Sequence, residues 1–222
     1  MRMNDNLIHV YCMPGMAASS AIFEYIKLPN THFKMHFLEW DIPPHNCTFT
    51  SYAEQMCQKI EHGNSVLLGV SLGGLLVQEM SKFIEVKKII IISSIKLTQE
   101  MPNKMNFARY TGVHKILPTS LVNNVEFLAK YAFGEPVVKR LDLYKRYMSV
   151  RDTNYIDWCI DKMVHWKQSE LPNNLVHIHG EKDTVFPITK IKDCITVPNG
   201  THTMIIHRAK WFNENLPAII LE

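Results

Sequence analysis

Short apolar runs alternate with longer segments of helical period along much of the chain. The runs predict β-strands over residues 7–12, 33–40, 65–70, 88–93, 175–179 and 193–197. The 88–93 run is almost pure isoleucine, which is typical of a central strand buried on both faces. Strands that alternate with helices predict an α/β fold of about six mostly parallel strands flanked by helices.

The segments between the strands have the apolar period of amphipathic helices. The pattern predicts helices over residues 20–28, 72–84 and 204–216. Ser51 and Glu54 have the spacing of a capping box, which predicts the start of one more helix.

Strand-like runs are missing between residues 96 and 170, where the pattern instead predicts helices over 120–133, 135–148 and 153–166. We therefore expect a single domain over residues 1–222, with a core of 1–95 and 171–222 and a helical cap inserted at about 96–170. Long insertions of this kind are commonly functional, and one that follows a central strand commonly covers the active site.

The sequence Gly69-Val70-Ser71-Leu72-Gly73 has the G-x-S-x-G pattern of a nucleophile elbow. It follows a predicted strand and opens a predicted helix, which is the context that the elbow requires. A serine at so sharp a turn adopts a strained backbone, and side chains two residues to either side would collide.

A serine nucleophile needs a base and an acid that orients the base. His202 lies in a loop between the last strand and the last helix, at the edge of the sheet that the elbow faces. Asp183 follows the 175–179 strand and is our choice for the acid, with Glu181 as the alternative. His177, His179 and His207 are expected to be structural. The remaining histidines have no partner motif: His9, His32, His36, His45, His62, His114 and His165.

The elbow, the H-G-x-x-D-x-x-x-P segment at 179–187 and the G-x-H loop at 200–202 together resemble the α/β-hydrolase superfamily. The resemblance covers nearly the whole chain apart from the insertion. It implies a catalytic triad of Ser71, Asp183 and His202, and an oxyanion hole formed by the backbone N–H groups of Met16 and Leu72. The first two strands of the family are missing, and only 18 residues separate Asp183 from His202, so a helix there must shrink to a turn or disappear.

The resemblance implies a serine hydrolase that acts on a small-molecule ester, thioester or similar acyl substrate, without a cofactor or metal. A C–C bond hydrolase, a lyase, an acyltransferase or a ligand receptor that retains the triad are alternatives on the same fold. The aromatic and methionine side chains of the insertion indicate either an apolar acyl pocket or a cap with its own core. They include Met101, Met105, Phe107, Tyr110, Phe127, Tyr131, Tyr147, Trp158 and Trp166.

Composition narrows the remaining function classes. The net charge is only +3, and the 24 lysines and arginines are spread along the chain, which argues against a nucleic-acid-binding face. No window approaches the roughly 18 apolar residues of a membrane span. The five cysteines are odd in number and lack metal or redox spacing, so we expect reduced thiols and a cytoplasmic location. The sequence does not indicate an oligomeric state.

Overall fold

A computed structural model describes residues 7–112 and 146–222 of the chain. Its centre is a six-stranded sheet in the order β2-β1-β3-β4-β5-β6, in which every neighbouring pair is parallel. The strands are β1 (Ile8–Met13), β2 (Phe33–Phe37), β3 (Ser65–Val70), β4 (Lys88–Ile92), β5 (Leu175–Gly180) and β6 (Ile195–Val197). The predicted fold of six parallel strands is confirmed.

Helices flank the sheet on both faces. They are α1 (Phe49–Cys57), α2 (Leu72–Met80), α3 (Asn103–Thr111), α4 (Thr153–His165), α5 (Met204–His207) and α6 (Ala209–Leu221). The segment between β5 and β6 contains a single 3-10 turn, Ile188–Lys190, so the expected shortening of that helix is confirmed. Among the described residues, no helix is long and apolar enough to span a membrane, and all five cysteines are free.

The central strands bury both of their faces because successive side chains point to opposite sides of the sheet. Leu67 of β3 and Ile89 and Ile91 of β4 pack into the core beneath α1, α2 and α4. Leu68 and Ile90 point the other way, into a second core closed by α5 and α6. This two-sided burial explains why β3 and β4 are continuous apolar runs rather than alternating ones.

Several local predictions differ from the structure. The helix predicted at 204–216 is divided into α5 and α6, and α2 and β2 end earlier than predicted, at Met80 and Phe37. Residues 20–28 form one 3-10 turn, Ser20–Phe23, instead of a helix. The side chain of Asn213 on α6 accepts from the N–H of Lys27 and donates to the carbonyl of Tyr25, so these groups are satisfied without a helix. A stretch this short forms a helix only when its surroundings support it.

The capping box at α1 lies one turn earlier than predicted. Thr48 is the N-cap; its side chain accepts from the Ser51 N–H at 3.0 Å, and the Ser51 side chain accepts from the Thr48 N–H at 3.1 Å. Helix α1 therefore begins at Phe49, and Glu54 lies exposed in its middle.

The two ends of the 96–170 insertion are joined by a buried pair of glutamines. The Gln78 amide on α2 donates to the carbonyls of Gly74 and Ile95, and Gln168 donates to the Gln78 side chain and to the Lys96 carbonyl. The predicted helix at 153–166 is observed as α4. The predicted helix at 120–133, and most of that at 135–148, lie outside the described residues.

We expect Gln78→Leu to lower the free energy of unfolding by roughly 2–4 kcal/mol, because it leaves buried carbonyls and the Gln168 amide unpaired. Urea unfolding followed by circular dichroism measures the loss. Gln55→Leu on the exposed face of α1 is the matched control and should change stability by less than about 0.5 kcal/mol. Equal stabilities of the two variants would contradict a structural role for the Gln78 network.

Candidate active site

The site is built on the turn between β3 and α2. Ser71 lies at this turn with φ 53° and ψ −119°, a conformation that side-chain-bearing residues rarely adopt and that stores strain. The Ser71 N–H donates to the Ile92 carbonyl at 2.9 Å, and the Ser94 hydroxyl donates to the Ser71 carbonyl at 2.8 Å. The end of β4 therefore holds the serine backbone in place.

Glycines are required on both sides of the serine. A Cβ on Gly69 would lie 2.3 Å from the carbonyl oxygen of Gly73, and a Cβ on Gly73 would lie 2.4 Å from that of Pro14. Both contacts are with backbone, which cannot move aside. The steric reason expected for the G-x-S-x-G pattern is thus present in the structure.

Ser71, His202 and Asp183 form a continuous hydrogen-bonded chain. The Ser71 hydroxyl lies 3.0 Å from His202 Nε2, and His202 Nδ1 lies 2.9 Å from Asp183 Oδ2. A carboxylate only accepts, so Nδ1 carries the proton and Nε2 is left to accept from the serine. The His202 side chain is 9% exposed, and the Asp183 side chain is fully buried.

The surroundings of Asp183 favour its charged form. Burial alone would raise the pKa of this carboxyl, but the interaction and hydrogen bond with His202, the nearby His179 and the N–H of Phe186 together hold the pKa below its ordinary value. The Val185 and Phe186 N–H groups donate to Oδ1 at 2.8 and 2.9 Å. Oδ2 is thereby directed at the histidine.

Two further histidines lie beneath the acid. His179 Nε2 is 2.8 Å from the Phe186 carbonyl, which can only accept, so Nε2 carries the proton and Nδ1 accepts from His177 at 3.1 Å. Burial lowers the pKa of His177 to about 2 and also lowers that of His179. Both rings are buried in the core, and His179 holds the loop that carries Asp183 through its hydrogen bond to the Phe186 carbonyl.

The alternative acid, Glu181, and His207, which was expected to be structural, both lie at exposed positions. Glu181 is exposed and accepts from the Asn199 N–H at 2.8 Å, within the turn that precedes His202. His207 is exposed at the end of α5. Asp183 rather than Glu181 is therefore the carboxylate that contacts the histidine.

The loop after β1 lies against the serine. A Cβ on Gly15 would be 3.3 Å from the Ser71 Cβ, and Met16, the next residue, lines the cavity in front of Ser71. Leu72 is the first residue of α2, so its N–H has no partner within the helix. Met16 and Leu72 thus both lie beside Ser71.

Sequence reasoning missed the side chain that fixes this loop. The indole N–H of Trp40 donates to the carbonyls of Pro14 and Gly15, at 3.1 and 2.9 Å. Tyr155 on α4 accepts from the N–H of Ala17, whose φ is +63°. Both contacts join residues far apart in the chain, and neither aromatic residue belongs to a recognisable motif.

An apolar cavity opens in front of Ser71 and His202. Its walls come from both faces of the fold and include Ile22, Met105, Met148, Met163, Ile205 and Ile206. Some of the aromatic and methionine residues noted in the insertion line the cavity, as Met105 and Tyr147 do. Trp166 instead packs in the core, where its indole N–H donates to the Glu79 carboxylate. Phe107 and Tyr110 are exposed, while Phe127 and Tyr131 lie outside the described residues.

Comparison with known proteins identifies the fold. The bromoperoxidase of Bacillus anthracis superimposes with a TM-score of 0.71 at 17% identity, covering 98% of this chain and 92% of that one. An esterase from Thermogutta terrifontis gives 0.70 at 12% identity, with coverages of 96% and 90%. An esterase from Exiguobacterium antarcticum gives 0.66 at 17%, with coverages of 96% and 92%. The predicted α/β-hydrolase fold is confirmed.

The sequence comparisons add one match. Residues 14–190 match the family described as Uncharacterised protein family (UPF0227). No curated protein matches the chain. The matched range includes Ser71 and Asp183 and stops short of the His202 loop.

We expect Asp183→Asn to slow covalent labelling of Ser71 by a fluorophosphonate at least about 10²-fold, whereas the fold is retained. The asparagine oxygen can keep the two loop N–H groups, so its amide would donate to His202 Nδ1 and select the tautomer that cannot accept from Ser71. The equivalent change in trypsin-like proteases costs roughly 10⁴-fold. Labelling reactions quenched at successive times and analysed by intact-protein mass spectrometry give the rate.

Glu181→Gln is the matched control for this prediction and should leave the labelling rate unchanged. A reversed order of the two variants would assign the acid to Glu181.

Proposed function

The chain belongs to the uncharacterised protein family UPF0227, and we propose that it is a serine hydrolase that cleaves an ester or thioester of an apolar acyl group. The observation that carries the proposal is the hydrogen-bonded chain from Ser71 through His202 to Asp183. Ser71 and His202 of this chain also line an apolar cavity. The esterases among the solved structures of similar fold support the same reaction class.

The proposed reaction has two steps. Ser71 Oγ attacks the acyl carbonyl while His202 Nε2 takes its proton, and Asp183 stabilises the imidazolium that forms. The imidazolium then protonates the departing alcohol or thiol. In the second step, water attacks the acyl carbonyl while His202 Nε2 takes its proton. The bond between Ser71 Oγ and the acyl group then breaks, the carboxylic acid leaves, and the imidazolium returns the proton to Ser71.

We assign the oxyanion hole to the N–H groups of Met16 and Leu72. Donors of this kind are aimed at the charge that develops on the carbonyl oxygen, and removal of one costs about 3–4 kcal/mol. The support is the placement of both residues beside Ser71 and the fixing of the Pro14–Gly15 carbonyls by Trp40.

The cavity supports an uncharged acyl group as the substrate part that binds inside. Its described lining contains methionine and aliphatic side chains and no lysine, arginine or carboxylate. Methionine is flexible and fills space adaptably, which suits acyl chains of differing shape. Met105, Met148 and Met163 all come from the 96–170 insertion, which supports its assignment as a cap over the site.

We expect the protein to hydrolyse p-nitrophenyl esters, and Ser71→Ala to lower kcat/KM by at least about 10⁴-fold, because it removes the nucleophile. Ser169→Ala, on an exposed loop, is the control and should retain full activity. If wild-type Ser71 is labelled by a fluorophosphonate yet no ester or thioester is hydrolysed, the result would favour one of the alternatives: a C–C bond hydrolase, a lyase, an acyltransferase or a receptor that retains the triad. Hydrolysis that survives Ser71→Ala would place the chemistry elsewhere.

We expect Met163→Ala to shift the preferred ester toward longer acyl chains. The smaller side chain enlarges the cavity on the side that the insertion lines. The measurement is kcat/KM over a series from acetyl to dodecanoyl esters. Met80→Ala on α2 is the matched control: Met80 is also buried but does not line the cavity. Each change should cost about 2–5 kcal/mol of stability, so a shift seen in both variants would reflect loosened packing, not cavity size.

A further inference from the structure

Three histidines without a sequence motif lie together at one edge of the sheet. His9 lies on β1, His36 on the edge strand β2, and His62 in the loop between α1 and β3. In the β1–β2 register His9 is opposite Lys34 and Tyr11 is opposite His36, so His9 and His36 are diagonal neighbours on one face. None of the three histidines lines the cavity beside Ser71.

The ring nitrogens of the three histidines converge on one point. His9 Nδ1 lies 2.9 Å from His36 Nε2, and one ring nitrogen from each histidine lies within 4.8 Å of those of the other two. The rings of His9 and His62 stack with centroids 3.6 Å apart. Nitrogens bound to tetrahedral Zn²⁺ at about 2.1 Å are about 3.4 Å apart, so modest ring rotations bring all three into range.

Tyr11 provides the outer contact that a metal-binding histidine usually has. Its hydroxyl lies 2.6 Å from His62 Nδ1 and also accepts from the Glu61 N–H at 3.0 Å. When His62 Nδ1–H donates to this oxygen, Nε2 is free of its proton and available to a metal. A hydrogen bond of this kind fixes the tautomer and the orientation of the ring.

Two neighbouring charges act on the cluster in opposite directions. Lys34 lies opposite His9 in the strand register, and Glu61 directly precedes His62 in the chain. Neutral imidazole is the form that binds metal. Lys34 repels a bound cation, and Glu61 attracts one.

We propose that His9, His36 and His62 form a Zn²⁺-binding site that ties the edge strand β2 to β1 and to the loop after α1. Three imidazoles suit Zn²⁺ and related transition metals, whereas Mg²⁺ prefers oxygen ligands. Water completes the coordination, because the cluster is only half buried. The site is separate from the serine chemistry and does not depend on it.

The test is a calorimetric titration of Zn²⁺ into the full-length chain, freed of any histidine tag and dialysed against chelator. We expect one ion per chain, no binding of Mg²⁺, and a melting temperature that rises by at least about 3 °C with saturating Zn²⁺. His36→Gln and His62→Gln should each weaken binding at least about 100-fold. Lys34→Gln should strengthen it about fivefold by removing the repulsion.

Two control variants separate this site from other histidines. His45→Gln, at an exposed position, and His202→Gln, beside Ser71, should both retain the tight ion. Tight binding that is lost in His202→Gln but kept in His36→Gln and His62→Gln would overturn the proposal, as would the absence of saturable Zn²⁺ binding by the wild type. If His36→Gln fails to fold, the other two variants still test the proposal, because Zn²⁺ affinity should fall in His62→Gln and rise in Lys34→Gln.

Discussion

The positive φ of Ser71 is the constraint on which the rest of the site depends. Such a conformation costs about 1–3 kcal/mol and persists only where the surroundings hold it. Here they do so through the buried helix α2, the Ile92 carbonyl and the Ser94 hydroxyl. Because β3 ends in a turn this sharp, helix α2 passes close to the β1 loop, and this approach leaves no room for a side chain at Gly73.

A buried carboxylate is the second demand that the fold must meet. Asp183 loses most of its hydration, and it remains charged because His202 and two backbone N–H groups replace the water. Its pKa is depressed on folding, so its ionisation stabilises the folded state above the unfolded pKa near 3.8. That contribution is lost as the pH falls through the lower folded pKa. The charge that orients His202 therefore also stabilises the loop that carries it.

The positions that could be predicted from the sequence are those that depend on short local motifs. The boundary between β3 and α2 follows from the glycines around Ser71, and Asp183 and His202 follow from loops at strand ends. The failures have long-range causes. The predicted helix at 20–28 is absent, and the N–H of Lys27 instead donates to Asn213, which lies 186 positions later. The indole of Trp40 donates to the Pro14 carbonyl, and no spacing rule connects these two residues.

The histidines show how the same residue type acquires different roles from position alone. His202 lies on a loop at the carboxyl edge of the sheet and contacts both Ser71 and Asp183, whereas His177 and His179 point into the core, where burial keeps them neutral. His9 and His36 become neighbours only through the register that places Tyr11 opposite His36. A shift of that register by one residue would turn His36 to the other face of the sheet. The choice of neighbouring strands and the register between them therefore decide which histidines meet.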